Sequence, residues 1–356
     1  MLKHNLREDC HLSRPAAKTR AAHRSAAFPW SYVILAVGVA FALVALATWN
    51  TGSLAWQRPA GSKLKLADIP VDGERAFGYL KDICAIGPRV SGTEGMHRQQ
   101  AWLKAHFEKL GGRVTLQEFD ARNPLDGVSK VRLANLIVEW HPERKERILL
   151  CAHYDTRPFP DEDPVDPRGV FLGANDGASG TALLCELAHH VPKLQSKYGV
   201  DFVLFDGEEL VYDKARDPFF LGSEHFAYDY RDKRPAHQYR CGVLLDMVGD
   251  AQLQIYREVN SMRTPQTRQL VNDIWGVARS LGVREFIDST GHEVRDDHLA
   301  LNNIAGIPAI DIIDFDYPTR RSGGYWHTTL DTPEKCSPLS LAKVGWVVKA
   351  WLERIK

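Results

Sequence analysis

A single α/β domain behind one transmembrane helix is the architecture this sequence predicts, and three observations predict it. From about residue 68 onward, short apolar runs alternate with stretches of helical spacing, the pattern of a sheet flanked by helices. No internal repeat or low-complexity tract breaks that alternation, so one domain over residues 68–356 is the economical reading. The run Tyr32 to Trp49 carries no charge and is long enough to cross a bilayer as a helix.

The amino-terminal elements come first. Residues 1–29 are basic: Lys3, Arg7, Arg14, Lys18, Arg20 and Arg24 are opposed only by Glu8 and Asp9. Such an excess places a leader on the cytoplasmic side, and Trp30, Tyr32 and Trp49 bracket the apolar run where interfacial anchors belong. Residues 30–49 thus read as a single-pass signal-anchor, with everything beyond it extracytoplasmic. Small residues at Ala45-Leu46-Ala47 keep the alternative of a cleaved signal peptide and a secreted protein. Residues 50–67, with Gly52, Pro59 and Gly61, read as a linker.

Within the domain, Phe77 to Ile86 and Met96 to Leu110 are spaced as helices, followed by strand-like Val114 to Phe119 and Leu133 to Trp140. Ile148 to Ala152, Phe202 to Phe205, Val243 to Leu245 and Ala309 to Ile313 are short apolar runs suited to strands buried on both faces. Helical spacing returns over Gly180 to Val191, Thr267 to Leu281 and Leu339 to Ile355.

Bulk composition excludes some function classes. With 45 basic against 45 acidic side chains, no cationic excess exists to neutralise phosphates, so nucleic acid is not the expected partner. Six cysteines without a C-x-x-C pair are too sparse for a disulfide scaffold. Cys151, Cys185 and Cys241 fall inside apolar runs and read as packing residues, while a disulfide among the five beyond the apolar run stays open.

The chemistry lies where acids and histidines meet the strand ends. Ile148 to Ala152 runs into His153-Tyr154-Asp155, Phe202 to Phe205 into Asp206-Gly207-Glu208-Glu209, and Val243 to Leu245 into Asp246. Ligands of open α/β sheets bind outside the carboxyl ends of the strands, so three strands deliver His or carboxylate to one rim. The glycine-rich turn Gly173 to Gly180, holding Asp176, and Tyr325-Trp326-His327 after the last strand fit the same rim. Two imidazoles and three carboxylates suit zinc, with His153, Asp176, Glu209, Asp246 and His327 as ligands. Asp155 is placed to orient the His153 imidazole from behind, and Glu208, beside a ligand, is free to act as general acid and base. Taken singly, each piece has a plainer reading as strand terminus, helix cap or surface acid; their joint order favours a metal. His189, His190, His225, His292 and His298 are read as surface or packing residues.

The motifs H-Y-D-T, G-A-N-D-G-A-S-G, F-D-G-E-E, L-D-M and W-H-T resemble the zinc aminopeptidase and glutaminyl cyclase superfamily, from about Phe77 to the carboxyl terminus. The resemblance implies a zinc exopeptidase-like fold, a mixed, mostly parallel sheet flanked by helices. Glutaminyl-peptide cyclotransferases are approached by Leu204 to Glu209, by Gly222-Ser-Glu-His-Phe-Ala227, by Asp296-Asp297-His298, by Gly306 to Pro308 and by Trp326 to Thr328. That branch implies one zinc on Asp176, Glu209 and His327, Glu208 as proton shuttle, Asp246 with Asp296 as a supporting pair, and Trp326 in the substrate pocket. His153 to Thr156 and Asp176 to Gly180 are nearer the aminopeptidases, whose two zinc ions are bridged at the Asp176 position. Two departures from the cyclases stand out. Lys214 and Tyr212 lie near the place of an expected tryptophan, and Arg295 stands where a neutral amide or acid is usual.

The leading expectation is a zinc-dependent enzyme converting N-terminal glutamine of peptides or proteins to pyroglutamate. A two-zinc aminopeptidase using the same residues is the alternative, and a non-catalytic membrane-tethered binding protein is a third.

Overall fold

The computed structural model describes residues 61–318 and 324–355; the basic leader, the expected membrane-crossing segment and most of the expected linker lie outside them. Among the described residues no helix is long and apolar enough to cross a membrane. The chain forms helices α1 (Gly73–Ala85) and α2 (Glu94–Lys109), then strands β1 (Arg113–Arg122), β2 (Lys130–Trp140) and β3 (Glu146–His153). Helix α3 (Ala178–Leu187), β4 (Gly199–Phe205), α4 (Leu221–Lys233) and β5 (Gln238–Asp246) follow. Beyond them come β6 (Ile255–Arg257), α5 (Pro265–Leu281), β7 (Phe286–Thr290), β8 (Ala309–Ile313) and α6 (Pro338–Arg354).

The main sheet has the order β1-β2-β4-β3-β5-β8. Its first two pairings are antiparallel, and β4, β3, β5 and β8 run parallel to one another. The mixed, mostly parallel sheet implied by the resemblance is the sheet observed. Because those four strands share a direction, their carboxyl ends open on one edge, which is where the site residues must gather.

Side chains alternate across a strand, and β3 shows what that does here. Ile148, Leu150 and Ala152 join the larger core with residues of α1, α2, α3, α5 and α6. Leu149 and Cys151 face the smaller core with Phe226 of α4 and Leu301. Both faces are covered, which accounts for the unbroken apolar run in the sequence. Helix α3 lies hard against the sheet: a Cβ on Gly180 would stand 2.0 Å from the Leu245 carbonyl oxygen, so a larger residue would push the helix off β5. All five cysteines among the described residues are buried and free, in keeping with a packing role.

Two features differ from the sequence reading. Helix α4 carries no clear helical pattern because its buried residues are few, among them Gly222, Ser223 and the apolar Phe226 and Ala227. The end of the expected linker is part of the domain: Leu64 and Leu66 pack beside Ile69, Val71 and Ala342, and Ser62 donates twice to Glu285 Oε1, at 2.9 and 3.0 Å. Leu64 and Leu66, followed by Ile69 and Val71, give that segment something to bury.

A buried ion pair fastens the opposite edge of the sheet. Arg147 on β3 donates from Nε to Asp201 Oδ2 at 2.8 Å, from Nη2 to the other carboxylate oxygen, and from Nη2 to the Trp140 carbonyl at 2.9 Å. Tyr239 on β5 donates its hydroxyl to Asp201 Oδ2 at 2.6 Å, so three strands are tied at one carboxylate. Removing one partner strands a buried charge, which costs about 3–5 kcal/mol. We expect Asp201→Ala to lose about that much in urea unfolding, while Lys104→Ala, which opens an exposed pair with Glu108, stays within about 0.5 kcal/mol of the parent.

Candidate metal centre

His153 and Asp246 are the last residues of β3 and β5, neighbouring strands that set them side by side. His153 Nε2 lies 3.1 Å from Asp246 Oδ1 and 3.2 Å from Asp176 Oδ1. On the other side of Asp176, His327 Nε2 lies 3.4 Å from Oδ2 and 2.6 Å from Glu209 Oε1. The five residues form two donor groups able to hold a metal ion, His153-Asp176-Asp246 and Asp176-Glu209-His327, with Asp176 common to both. All five are buried.

The backbone is shaped to present them. Asp176 sits in the turn before α3, and Asp331 fixes that turn by accepting the N–H groups of Asn175 at 2.8 Å and Asp176 at 3.1 Å. Asn175 in turn accepts the Gly249 N–H at 2.7 Å, joining the turn to the loop beyond Asp246. Asp155 stands behind His153, whose imidazole is lowered by burial and raised first by Asp155, and it has a further part in the backbone. Its Oδ1 is 3.7 Å from His153 Nδ1, longer than a hydrogen bond, while its oxygens accept the N–H groups of Glu208 at 3.3 Å and Glu209 at 3.0 Å. It thus holds the Glu208-Glu209 backbone. Phe220, Met247 and His327 have φ of 62°, 48° and 54°, a left-handed conformation that costs a non-glycine residue on the order of 1–3 kcal/mol and tends to collect at functional sites.

These residues line a cavity of about 190 Å³, with His153, Asp176, Glu209, Asp246 and His327 on one side and Phe219, Phe220, Phe315 and Trp326 among its walls. Glu208, Asp296 and Arg295 line it too, so every site residue singled out in the sequence except Asp155 reaches this space. Trp326 stacks on His327, ring centroids 3.7 Å apart. None of the five histidines set aside lines it: His189 meets Tyr79, His190 meets Glu186 and His225 stacks on Phe119, while His292 packs behind the wall residue Phe315 and buried His298 lies 3.5 Å from Glu258.

Crowded carboxylates set the electrostatics. Burial, then Glu209, raises the Asp176 carboxyl to about 6. Burial, then Asp155, raises Asp206 to about 7. Burial would raise Glu209 as well, but His327 and Arg157 outweigh it and hold the carboxyl near about 2. The His327 imidazole is lowered by burial yet driven to about 9, chiefly by Glu209. Glu208 and Asp296 are pushed well above the usual carboxylate range, first by burial and then by neighbouring acids. Such a site demands positive charge, and buried Asp176 Oδ2 has no hydrogen-bond partner among the described residues. Imidazole and carboxylate donors gathered around it fit zinc.

Two contributors are silent in the sequence. Asp331 is a lone acid in a T-L-D-T context, and nothing marks it until the fold brings it under Asp176. Glu258 accepts the N–H groups of Asn260 at 2.7 Å, Ser261 at 2.6 Å and Val294 at 3.0 Å, and so fixes the segment that carries Arg295 and Asp296.

Comparison with known proteins gives the family. Peptidase family M28 matches residues 135–352. The chain is 42% identical to the glutaminyl cyclase of Fimbriiglobus ruber, covering 84% of this chain and 100% of that one, with a TM-score of 0.76. It is 32% identical to a Zn-dependent exopeptidase from Parabacteroides distasonis, covering 80% and 99% of the two chains, with a TM-score of 0.73. Aminopeptidase YwaD of Bacillus subtilis is 25% identical over 68% of this chain, which spans about half of that enzyme, 49%. The chain belongs to peptidase family M28, within the superfamily of zinc aminopeptidases and glutaminyl cyclases, and is a zinc enzyme of that group.

Two outcomes follow from the supports. Asp331→Ala leaves two buried N–H groups unpaired under a ligand, so zinc affinity measured by chelator competition should fall about 10- to 100-fold, with partial recovery in Asp331→Asn. For Glu258, burial acts to raise the carboxyl, but His298 and the backbone N–H groups hold it down at about 2. A depressed carboxyl stabilises the fold above its ordinary value near about 4.3 and loses that contribution as pH falls toward 2. We expect the parent to lose roughly 3 kcal/mol more than Glu258→Gln between pH 5 and 2 in acid-unfolding curves.

Proposed function

We propose that the chain is a zinc-dependent glutaminyl-peptide cyclotransferase, which converts an N-terminal glutamine to pyroglutamate and releases ammonia. The observation that carries this reading is the 42% identity to the Fimbriiglobus ruber cyclase over all of that protein. The small cavity walled by Trp326, Phe219 and Phe220 supports it, since its volume suits one side chain. In this reading Asp176, Glu209 and His327 hold zinc, and Asp246 and Asp296 stand behind the reacting centre.

Zinc, when bound, supplies a Lewis acid for the γ-carbonyl oxygen of the substrate glutamine. The aromatic walls hold the glutamine side chain folded, so that its α-amine faces its own γ-carbonyl carbon in a near-attack arrangement. Glu208 takes a proton from the amine as the new C–N bond forms. It returns a proton to the amide nitrogen as that C–N bond breaks and ammonia departs, so the carboxylate ends as it began. We assign residues 30–49 as a membrane anchor that places the catalytic domain, residues 68–356 with the packed segment 62–67 before them, outside the cytoplasm.

A second reading rests on Asp176. Its two oxygens face different partners, Oδ1 toward His153 and Oδ2 toward His327, which suits a carboxylate bridging two ions in an aminopeptidase. Glu208 would then be the base for water attacking the first peptide carbonyl.

The full chain, loaded with zinc, should be given a glutaminyl peptide and leucine amide side by side. We expect ammonia and a pyroglutamyl product, about one zinc per chain, and at least a 10²-fold loss of turnover in Glu208→Gln with zinc retained. Free leucine and two tightly held zinc ions would establish the aminopeptidase instead.

A further inference from the structure

We infer that Arg295 selects peptides whose second residue is acidic, an inference that rests on the reading of the cavity as a site for peptide N-termini. Three cations stand against the aromatic walls: Arg157 5.7 Å from the Phe219 ring, Lys214 5.8 Å from Trp326, and Arg295 6.0 Å from Phe220. Two of them are already matched. Arg157 donates to Asp161 Oδ1 at 2.8 Å and lies 3.5 Å from Glu209, and Lys214 pairs with Asp161 at 3.0 Å and with Glu162. Arg295 forms no ion pair with a carboxylate among the described residues.

Its placement is that of a rim residue. Val294 on one side and Asp296 on the other are buried, at 7% and 4% exposure, while Arg295 between them is exposed and still lines the cavity. Glu258 grips the Val294 N–H, so the backbone presenting the guanidinium is fixed before any ligand arrives. Contact with Phe220 further narrows where the guanidinium can go. A cavity of about 190 Å³ takes in one residue, so the peptide must leave past the rim with its second side chain outside. An unmatched guanidinium there accepts a carboxylate as a bidentate partner and repels a lysine.

The test uses full-length, zinc-loaded protein and two matched peptide sets. One begins with Gln and the other with Leu, and each carries Glu, Gln or Lys at position two. Turnover is scored for both ammonia and free amino acid, at low and high salt. Binding is read by calorimetry in Glu208→Gln protein, so a preference is measured whether or not product forms. Ratios between peptides within one protein do not depend on its specific activity. We expect roughly a fivefold preference for Glu over Lys, shrinking at high salt, abolished in Arg295→Gln and reversed in Arg295→Glu. Equal ratios in the parent and both variants would overturn the inference. Cyclisation without charge preference sinks Arg295's role and leaves the cyclase reading standing. Leucine release that favours Glu through Arg295 does the reverse.

Discussion

The carboxylate of Asp176 is the point on which the arrangement depends. It lies between two imidazoles and within reach of two further acids, in a place water does not reach freely. Like charges at such spacing repel strongly in a poorly polarisable interior, so the surroundings must supply positive charge and directed N–H groups. Asp331 grips the turn from below, Asp155 grips the Glu208-Glu209 backbone, and Arg157 leans on Glu209. The first two act through backbone N–H groups and leave the facing carboxylate oxygens of Asp176 and Glu209 free, while Arg157 lies 3.5 Å from the same Glu209 oxygen that faces His327. A metal ion completes the balance, which is why donor set and scaffold read as one design.

That balance shapes the domain as a whole. One edge of the sheet concentrates acids, left-handed residues and unsatisfied polar atoms, features that cost stability. The opposite edge holds the Arg147-Asp201-Tyr239 cluster, satisfied on every side. Two cores clamp the strands between these edges, and Gly180 lets α3 press close enough to transmit the rigidity of β5 into the Asp176 turn. A site that must hold several carboxylates within a few tenths of an ångström needs that stiffness, because nothing within the charge cluster itself would keep it closed.

Much of this was legible in the sequence, for a physical reason. A parallel strand buried on both faces reads as an unbroken apolar run, and an acid or histidine at its end is conspicuous against it; His153, Asp206 and Asp246 stand out in that way. The glycines around Asp176 mark a turn that side chains would obstruct. What stayed hidden were residues whose meaning is entirely tertiary. Asp331 and Glu258 act through backbone N–H groups far from them in sequence, and no local pattern records such a bond. Asp155 is conspicuous beside His153, but its hold on the Glu208-Glu209 backbone is tertiary and leaves no local mark. Helix α4 was invisible because a helix that buries mainly small residues leaves little period to find.

The choice between one metal and two turns on the same physics rather than on the ligand count. His153 and Asp246 stand 3.1 Å apart within one donor group, and Asp246 also acts on buried Asp296, whose carboxyl is raised by burial and then by Asp246. If Asp296 keeps its proton, it can share it with Asp246, and that bond competes with a second ion for the same oxygen. His153, Asp176 and Asp246 would hold a second ion, and its positive charge would favour the ionised form of both inner acids. The two chemistries of the superfamily are in this sense two ways of satisfying one crowded rim. A site of the first kind would balance its inner acids with a proton beside one zinc; a site of the second kind would use a second cation there. Under the cyclase reading proposed above, the cavity walled by Trp326, Phe219 and Phe220 suits a folded side chain, and the proton between the inner acids is then part of how the rim is balanced.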